Sequence, residues 1–246
     1  MQSQMYVPPL TKINKTIIFI YVGVFLLSTF IQMAGGFPLI TYMGVSWKAV
    51  SSGAIWTLVS FPFVDTSLMT VIFNALILWF IGSELEAKWS KKFYIKFLAI
   101  STFGCGALYT LLGFLSGDML SFLPLNGLTG TNLALLVAYA LIYPNRQMIF
   151  MFIFPMKAKY FCLLLAGIEL FMALTATATK APFAHILAML IGFIYLKYKS
   201  LKAQGLGMGH IWQNHKAHQA RKKRGNLRLV KTKDERPDPE DPKYWQ

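Results

Sequence analysis

The sequence predicts an all-α protein that crosses a membrane six times, and three observations carry that prediction. Hydrophobic residues make up 55% of the 246, with a mean hydropathy of +0.49. Charged residues are only 14%, against about 25% in soluble domains. The charges are also segregated: residues 200–246 hold 11 of the 24 Lys/Arg and five of the 10 Asp/Glu. A domain of residues 16–199 thus lies between a short N-terminus, 1–15, and a basic tail, 200–246.

A hydrocarbon core of about 30 Å takes roughly 20 apolar residues rising 1.5 Å each. Six stretches answer to this: Thr16–Met33, Ser67–Leu85, Phe93–Leu115, Gly127–Tyr143, Tyr160–Thr177 and Pro182–Tyr198. The fourth is short, and Pro144 follows it where a helix would stop. The first has Lys12 and Lys15 before it, as a signal peptide would. It is long for such a segment, no clear Ala-x-Ala site follows, and it reads as a retained helix.

Loop charges set the orientation. Lys12 and Lys15 precede the first span, and Lys88, Lys91, Lys92 and Lys96 follow the second. Arg146, Lys157 and Lys159 separate the fourth and fifth, and Lys197, Lys199 and Lys202 follow the sixth. The alternate loops hold only Lys48 with Asp65, then Asp118, then Lys180. Both termini are therefore expected in the cytoplasm. The first outer loop, Ala34–Thr66, is rich in large apolar residues, among them Phe37, Leu39, Ile40, Tyr42, Trp47, Ile55, Trp56, Phe61 and Phe63. It reads either as a segment lying in the membrane interface or as a loop packed on the helices.

Polar residues inside a membrane are expensive and mark functional sites. His185 stands within the apolar run Ala181–Leu196, and Gly127-Leu128-Thr129-Gly130 opens the fourth span. Spans two, four and six run in the same direction, so Thr129 and His185 lie near one end and Asn74 roughly 10 Å deep from it. Gly127 and Gly130 around Thr129, and Ala184, Ala188 and Gly192 around His185, let the helices approach. A hydroxyl beside an imidazole is the minimal nucleophile–base pair. Asn74 could donate to a developing oxyanion. The plain alternative is a satisfied Thr–His–Asn cluster that only fixes packing.

These residues resemble the rhomboid intramembrane proteases. Asn74 with Gly82-Ser83-Glu84-Leu85-Glu86 is similar to the family's helix-two signature, an Asn followed by Gly-x-x-Leu-Glu. Gly127-Leu128-Thr129-Gly130 is similar to its Gly-x-Ser-Gly motif, and Ala184-His185 with Gly192 to its histidine helix. The likeness covers roughly residues 15–200. It implies a six-helix rhomboid-like bundle that cleaves single-span membrane proteins near their external end. Thr129 would be the nucleophile and His185 the general base, supported by Asn74, Gly127, Gly130 and Thr70. A pseudoprotease that binds and regulates or traffics transmembrane proteins is the alternative.

The departures lie at the site. Thr129 stands where the family has Ser, Thr70 where it usually has a His of the oxyanion hole, and Asp65 where a further His is often found. Trp56-Thr57 replaces Trp-Arg, and Ala188 replaces a common Gly. A threonine's methyl restricts χ1 and crowds a serine site, and one lost oxyanion donor costs about 10²–10³ in rate.

The remaining features point elsewhere. Glu169, deep in the fifth span, reads as a structural or substrate-gate residue. A transporter using Glu169 and His185 as a relay fits less well, because the polar groups gather near one face and no inverted repeat is evident. Cys105 and Cys162 read as core thiols, and His210, His215 and His218 have no carboxylate or thiol nearby, so no metal and no cofactor is expected. From Lys202 to Lys233 the tail has nine Lys/Arg and no acid, which suits anionic lipid rather than nucleic acid. Asp234–Gln246, with five acids and three prolines, reads as disordered. The expected setting is the inner (cell) membrane of a bacterium.

Overall fold

A computed structural model describes residues 8–116, 123–150, 154–175 and 181–203. The chain divides after Lys197 into two units, and the architecture below is that of the first. Asp118, Lys180, the three tail histidines and the basic and acidic stretches of the tail lie outside the described residues.

Five helices are long and apolar enough to cross a membrane: Lys12–Met33, Leu68–Lys88, Lys91–Leu115, Ala158–Thr175 and Ala181–Ser200. A sixth, Thr129–Ile142, has 14 residues, about 21 Å at the helical rise. All six segments read from the sequence are therefore helical, and the fourth is short as its length foretold. Thr129–Ile142 is nonetheless the most enclosed of them. Every residue from Gly130 to Tyr139 is buried, and Ala134, Leu135, Leu136 and Ala138 form a core with Leu78, Leu85, Tyr94 and Phe97. The other helices stand around it with their outer faces bare: Phe19, Phe103, Leu163, Phe171 and Ile194 are all exposed. An apolar outside around a shorter, buried helix is the pattern of a protein whose solvent is lipid.

The first helix begins four residues earlier than hydropathy suggests, and Glu86 is the reason. Its carboxylate accepts from the backbone amides of Ile13 and Asn14 at 3.4 Å each, and from Asn14 Nδ2 at 3.0 Å. The hydroxyl of Thr11 donates to the same group. An anion at a helix N-terminus satisfies amides that have no acceptor within the helix. Tyr94 then donates to Asn14 Oδ1 at 2.6 Å. Gly82 leaves room for this cluster, since a Cβ there would lie 2.7 Å from Tyr94 OH. The Gly-x-x-Leu-Glu element thus ties the first three spans together at one end.

The second span is not a uniform helix. Leu68–Ile77 passes through a π-helical stretch, Leu78–Gly82, into Ser83–Lys88. A π-bulge shifts the face presented beyond it, so Asn74 and Glu86 both point into the protein, buried at opposite ends of the span.

Ala34–Thr66 packs on the helices along part of its length. It holds three short helices, Ile40–Met43, Trp47–Ser51 and Thr57–Ser60, and the 3₁₀ turn Phe61–Phe63. Phe61 and Val45 are buried, and Trp47 packs on Phe114 of the third span with ring centroids 4.8 Å apart. Phe37, Ile55 and Trp56 stay exposed. A feature not anticipated is the antiparallel hairpin of Gln147–Phe150 with Phe154–Lys157, which joins the fourth and fifth spans.

Candidate functional site

The turn that carries Thr129 is built by the first loop. Val45 and Leu125 exchange backbone hydrogen bonds of 3.0 and 2.7 Å, and Gly127 N donates to Phe61 O at 3.0 Å. Gly127 adopts φ +82°, a left-handed conformation that any side chain would strain. A Cβ on it would also lie 2.7 Å from Asp65 Oδ2. The chain then enters the helix at Thr129. The first amide bonded to the turn before it is Asn132 N, to Leu128 O at 2.8 Å. Thr129, Gly130 and Thr131 accordingly open the helix with N–H groups that have no acceptor within it.

Asn74 meets this turn. Its Nδ2 donates to Tyr21 OH at 3.1 Å and, at a longer 3.4 Å, to Thr129 Oγ1. Its Oδ1 and backbone O accept from Asn132 Nδ2 at 2.8 and 3.1 Å. Tyr21 OH donates in turn to Asp65 Oδ2 at 2.7 Å, and Asp65 Oδ1 accepts from the amides of Thr66 and Ser67. Four parts of the chain, the first span, the end of the first loop, the second span and the Thr129 helix, share one buried polar chain. Thr131 Oγ1 and Thr102 Oγ1, 2.8 Å apart, join that helix to the third span.

His185 has a different partner from the one expected. The sequence sets it against the Thr129 hydroxyl, but among the described residues no hydrogen bond joins the two. His185 Nδ1 lies 3.2 Å from Glu169 Oε2, with both side chains 13% exposed. The reason lies in the spacing of the helices. Glu169 stands six residues before the end of Ala158–Thr175 and His185 four residues into Ala181–Ala203. The two side chains therefore share a depth, and an unpaired carboxylate there would carry its full desolvation cost.

The opposite edge of the imidazole does approach the Thr129 turn. A Cβ on Gly130 would lie 3.4 Å from His185 Cδ2, 3.5 Å from Ala188 Cβ and 2.7 Å from Cys105 Sγ. Ala184 and Ala188 are fully buried, and a Cβ on Gly192 would lie 3.0 Å from Ala134 Cβ. Small residues thus bring the histidine helix against the Thr129 helix, as their spacing suggested. Thr70 is not drawn in: its amide lies 3.5 Å from Ser67 Oγ, and among the described residues its side chain makes no hydrogen bond to Thr129.

The residues that sequence reasoning missed are Tyr21, Asn132 and the pairing of Glu169. Asn132 had a usable signal, lying three residues after Thr129 and so near its face. Tyr21 had none, being one aromatic in an apolar span. Two cavities lie apart from these groups. One of about 340 Å³ is lined by Ile20, Met43, Trp56 and Phe63 among others, and one of about 290 Å³ by Thr11, Ser83, Glu84 and Tyr143 among others. Neither is lined by Thr129 or His185.

No curated protein matches the chain. A family model does, the one described as "Eukaryotic integral membrane protein (DUF1751)", over residues 15–218. The match and the apolar helices together show a multi-pass integral membrane protein. They lend nothing to the expected bacterial setting, since the family is described as eukaryotic. The match covers most of the chain, which belongs to this family of eukaryotic integral membrane proteins.

Proposed function

We propose that this protein is a rhomboid-like intramembrane endopeptidase in which Thr129 is the nucleophile and His185 the general base. The observation that carries the reading is the seating of the imidazole. Nδ1 is anchored on Glu169, and the Cδ2 edge lies against Gly130, the residue after Thr129. Nε2, bonded to Cδ2, is then on the side of the ring nearer the nucleophile. In the free state a nucleophile–base hydrogen bond is often long and tightens only with substrate.

In acylation, His185 Nε2 takes the Thr129 hydroxyl proton as Oγ1 bonds to the scissile carbonyl carbon. The tetrahedral oxyanion is met by Asn74 Nδ2 and by the unshared amides that open the Thr129 helix. Collapse breaks the C–N bond, and the departing amine receives the proton from His185. Water, activated by the same imidazole, then hydrolyses the ester and restores Thr129. The substrates are single-span membrane proteins, cut near their external end. Both termini are cytoplasmic in this reading, and the basic tail rests on anionic lipid.

A second reading is a pseudoprotease that binds transmembrane segments without cutting them. It is favoured by the Thr129 hydroxyl, which accepts from Asn74 and has no hydrogen bond to His185 among the described residues. Cleavage of a model single-span substrate by the purified wild type and by Thr129→Ala, Thr129→Ser and His185→Ala decides between them. The protease reading expects cleavage by the wild type, none by Thr129→Ala or His185→Ala, and as much or more by Thr129→Ser. An inert wild type beside an active Thr129→Ser variant establishes the pseudoprotease, and cleavage that survives His185→Ala removes the mechanism.

A further inference from the structure

The only acidic residue of the fifth span faces the imidazole that the fourth-span turn would need as a base. Glu169 and His185 belong to different helices, and their 3.2 Å contact is the hydrogen bond the described structure gives to either side chain. With Glu169 ionised the carboxylate can only accept, and Nδ1 then carries the proton in this pair. That fixes the tautomer: Nε2 keeps its lone pair, on the ring side that includes Cδ2 and Gly130. The contact also fixes χ2, because a flipped ring would put carbon against Glu169 and lose the bond.

We infer that Glu169 is the positioning carboxylate of a Thr129–His185–Glu169 triad, holding His185 with Nε2 basic and aimed at Thr129. This rests on the protease reading above and extends it to a third residue on a third helix. When Thr129 gives up its proton, the resulting imidazolium is paired with a carboxylate already in place. In water such a pair would contribute little, but within the protein its charges are poorly screened. A simple helix-packing tie is the competing role, and it differs in what a neutral isostere does. The Glu169→Gln change would keep the volume and a hydrogen bond, yet the new amide can donate to Nδ1 and favour the tautomer whose Nε2 is protonated.

The test uses the full-length protein in detergent micelles. Glu169→Gln is expected to lower kcat for a single-span substrate by roughly 10⁴, the scale of the corresponding carboxylate-to-amide change in serine-protease triads, with KM and the melting temperature near wild type. Glu169→Asp, which keeps the carboxylate, is expected to recover part of that loss. Nitrogen-15 NMR of histidine-labelled protein, with His185 assigned through His185→Ala, reads the tautomer directly. It should show Nδ1–H in the wild type and a gain of Nε2–H in Glu169→Gln. A Glu169→Gln variant that cleaves within about threefold of wild type overturns the triad and leaves Thr129 and His185 standing. A wild type that does not cleave overturns the protease reading. In that event a His185 tautomer that ignores Glu169→Gln overturns the positioning role as well, and one that responds retains it as a feature of a non-catalytic site.

Discussion

The hydroxyl of Tyr21 donates to Asp65 across 2.7 Å, joining the middle of the first span to the residue just before the second. Asp65 stands where the resemblance leads one to expect a histidine. It is 5% exposed, and its two oxygens serve different elements. Oδ1 caps the entry to the second span through the amides of Thr66 and Ser67. Oδ2 holds Tyr21, which holds Asn74, which reaches Thr129. The Thr129 turn is therefore tied to the first span through Tyr21 and Asn74.

Removing the middle of that chain tests it. Tyr21→Phe keeps the ring in its buried place but strands an oxygen of Asp65 and a proton of Asn74. A buried group left unpaired costs about 1–3 kcal/mol, whereas polar contacts between membrane helices average about 0.6 kcal/mol because the unfolded state also finds partners. Stranding decides the matter here, since phenylalanine offers nothing to either neighbour. We expect a destabilisation of about 1–2 kcal/mol, read as a lower melting temperature in detergent. An unchanged melting temperature would show that the chain contributes no net stability.

Gly127→Ala combines two penalties at the same turn. Its φ of +82° is left-handed, where a Cβ costs about 1–2 kcal/mol. The new methyl also meets Asp65 Oδ2 at 2.7 Å, so one of them must move. We expect a larger loss of stability than in Tyr21→Phe, with disturbance at both Asp65 and Thr129. Thermal unfolding beside cysteine-accessibility at position 129 measures both effects, and a wild-type profile in both would contradict this geometry.

At the far end of the second span, Glu86→Gln removes charge and keeps shape. The carboxylate accepts from two backbone amides, Asn14 Nδ2 and Thr11 at the start of the first helix. A neutral amide presents one accepting oxygen and turns two unwanted donors toward those amides. Losing a cap costs about 0.5–2 kcal/mol, and burial at 6% exposure puts this one toward the upper end. Hydrogen exchange of the Lys12–Met33 amides should rise at its first turn. Exchange that rises uniformly along the helix would instead mean that the whole span has loosened.

Much of this arrangement was legible because hydropathy fixes where helices can be. The order of charged loops then makes Asn74 and Thr129 neighbours in depth. The partner of His185 was not legible. Thr129 offered a motif, and Glu169 offered only an acid in an apolar helix. Which of two candidates an imidazole faces depends on helix rotation, and apolar residues all round a membrane span give periodicity little to report. The π-helical stretch Leu78–Gly82 is hidden for a related reason, since Leu78, Trp79, Phe80 and Ile81 suit either helix. The first span starts four residues before its apolar run because the cap that draws Lys12 and Lys15 into the helix lies on Glu86, 72 residues from Asn14.

Gly130 offers the sharpest probe of the site, because its missing side chain is where three groups converge. A methyl there would sit 2.7 Å from Cys105 Sγ and in ordinary contact, at 3.4 Å, with His185 Cδ2. The sulfur is the obstacle, and it has little freedom: it is buried and donates to Ala184 O at 3.6 Å, one residue from His185. Overpacking of this kind costs about 1–3 kcal/mol. Gly130→Ala should therefore destabilise the protein and displace the imidazole, whereas Cys105→Ala alone should cost less. Together they should recover stability, because the alanine at 105 vacates the space that the new methyl needs. A double-mutant cycle by thermal unfolding measures the coupling, expected at about 0.5–3 kcal/mol for residues in contact. Additive losses would mean that Gly130 of the Thr129 helix and Cys105 of the third span are not in contact, contrary to this geometry.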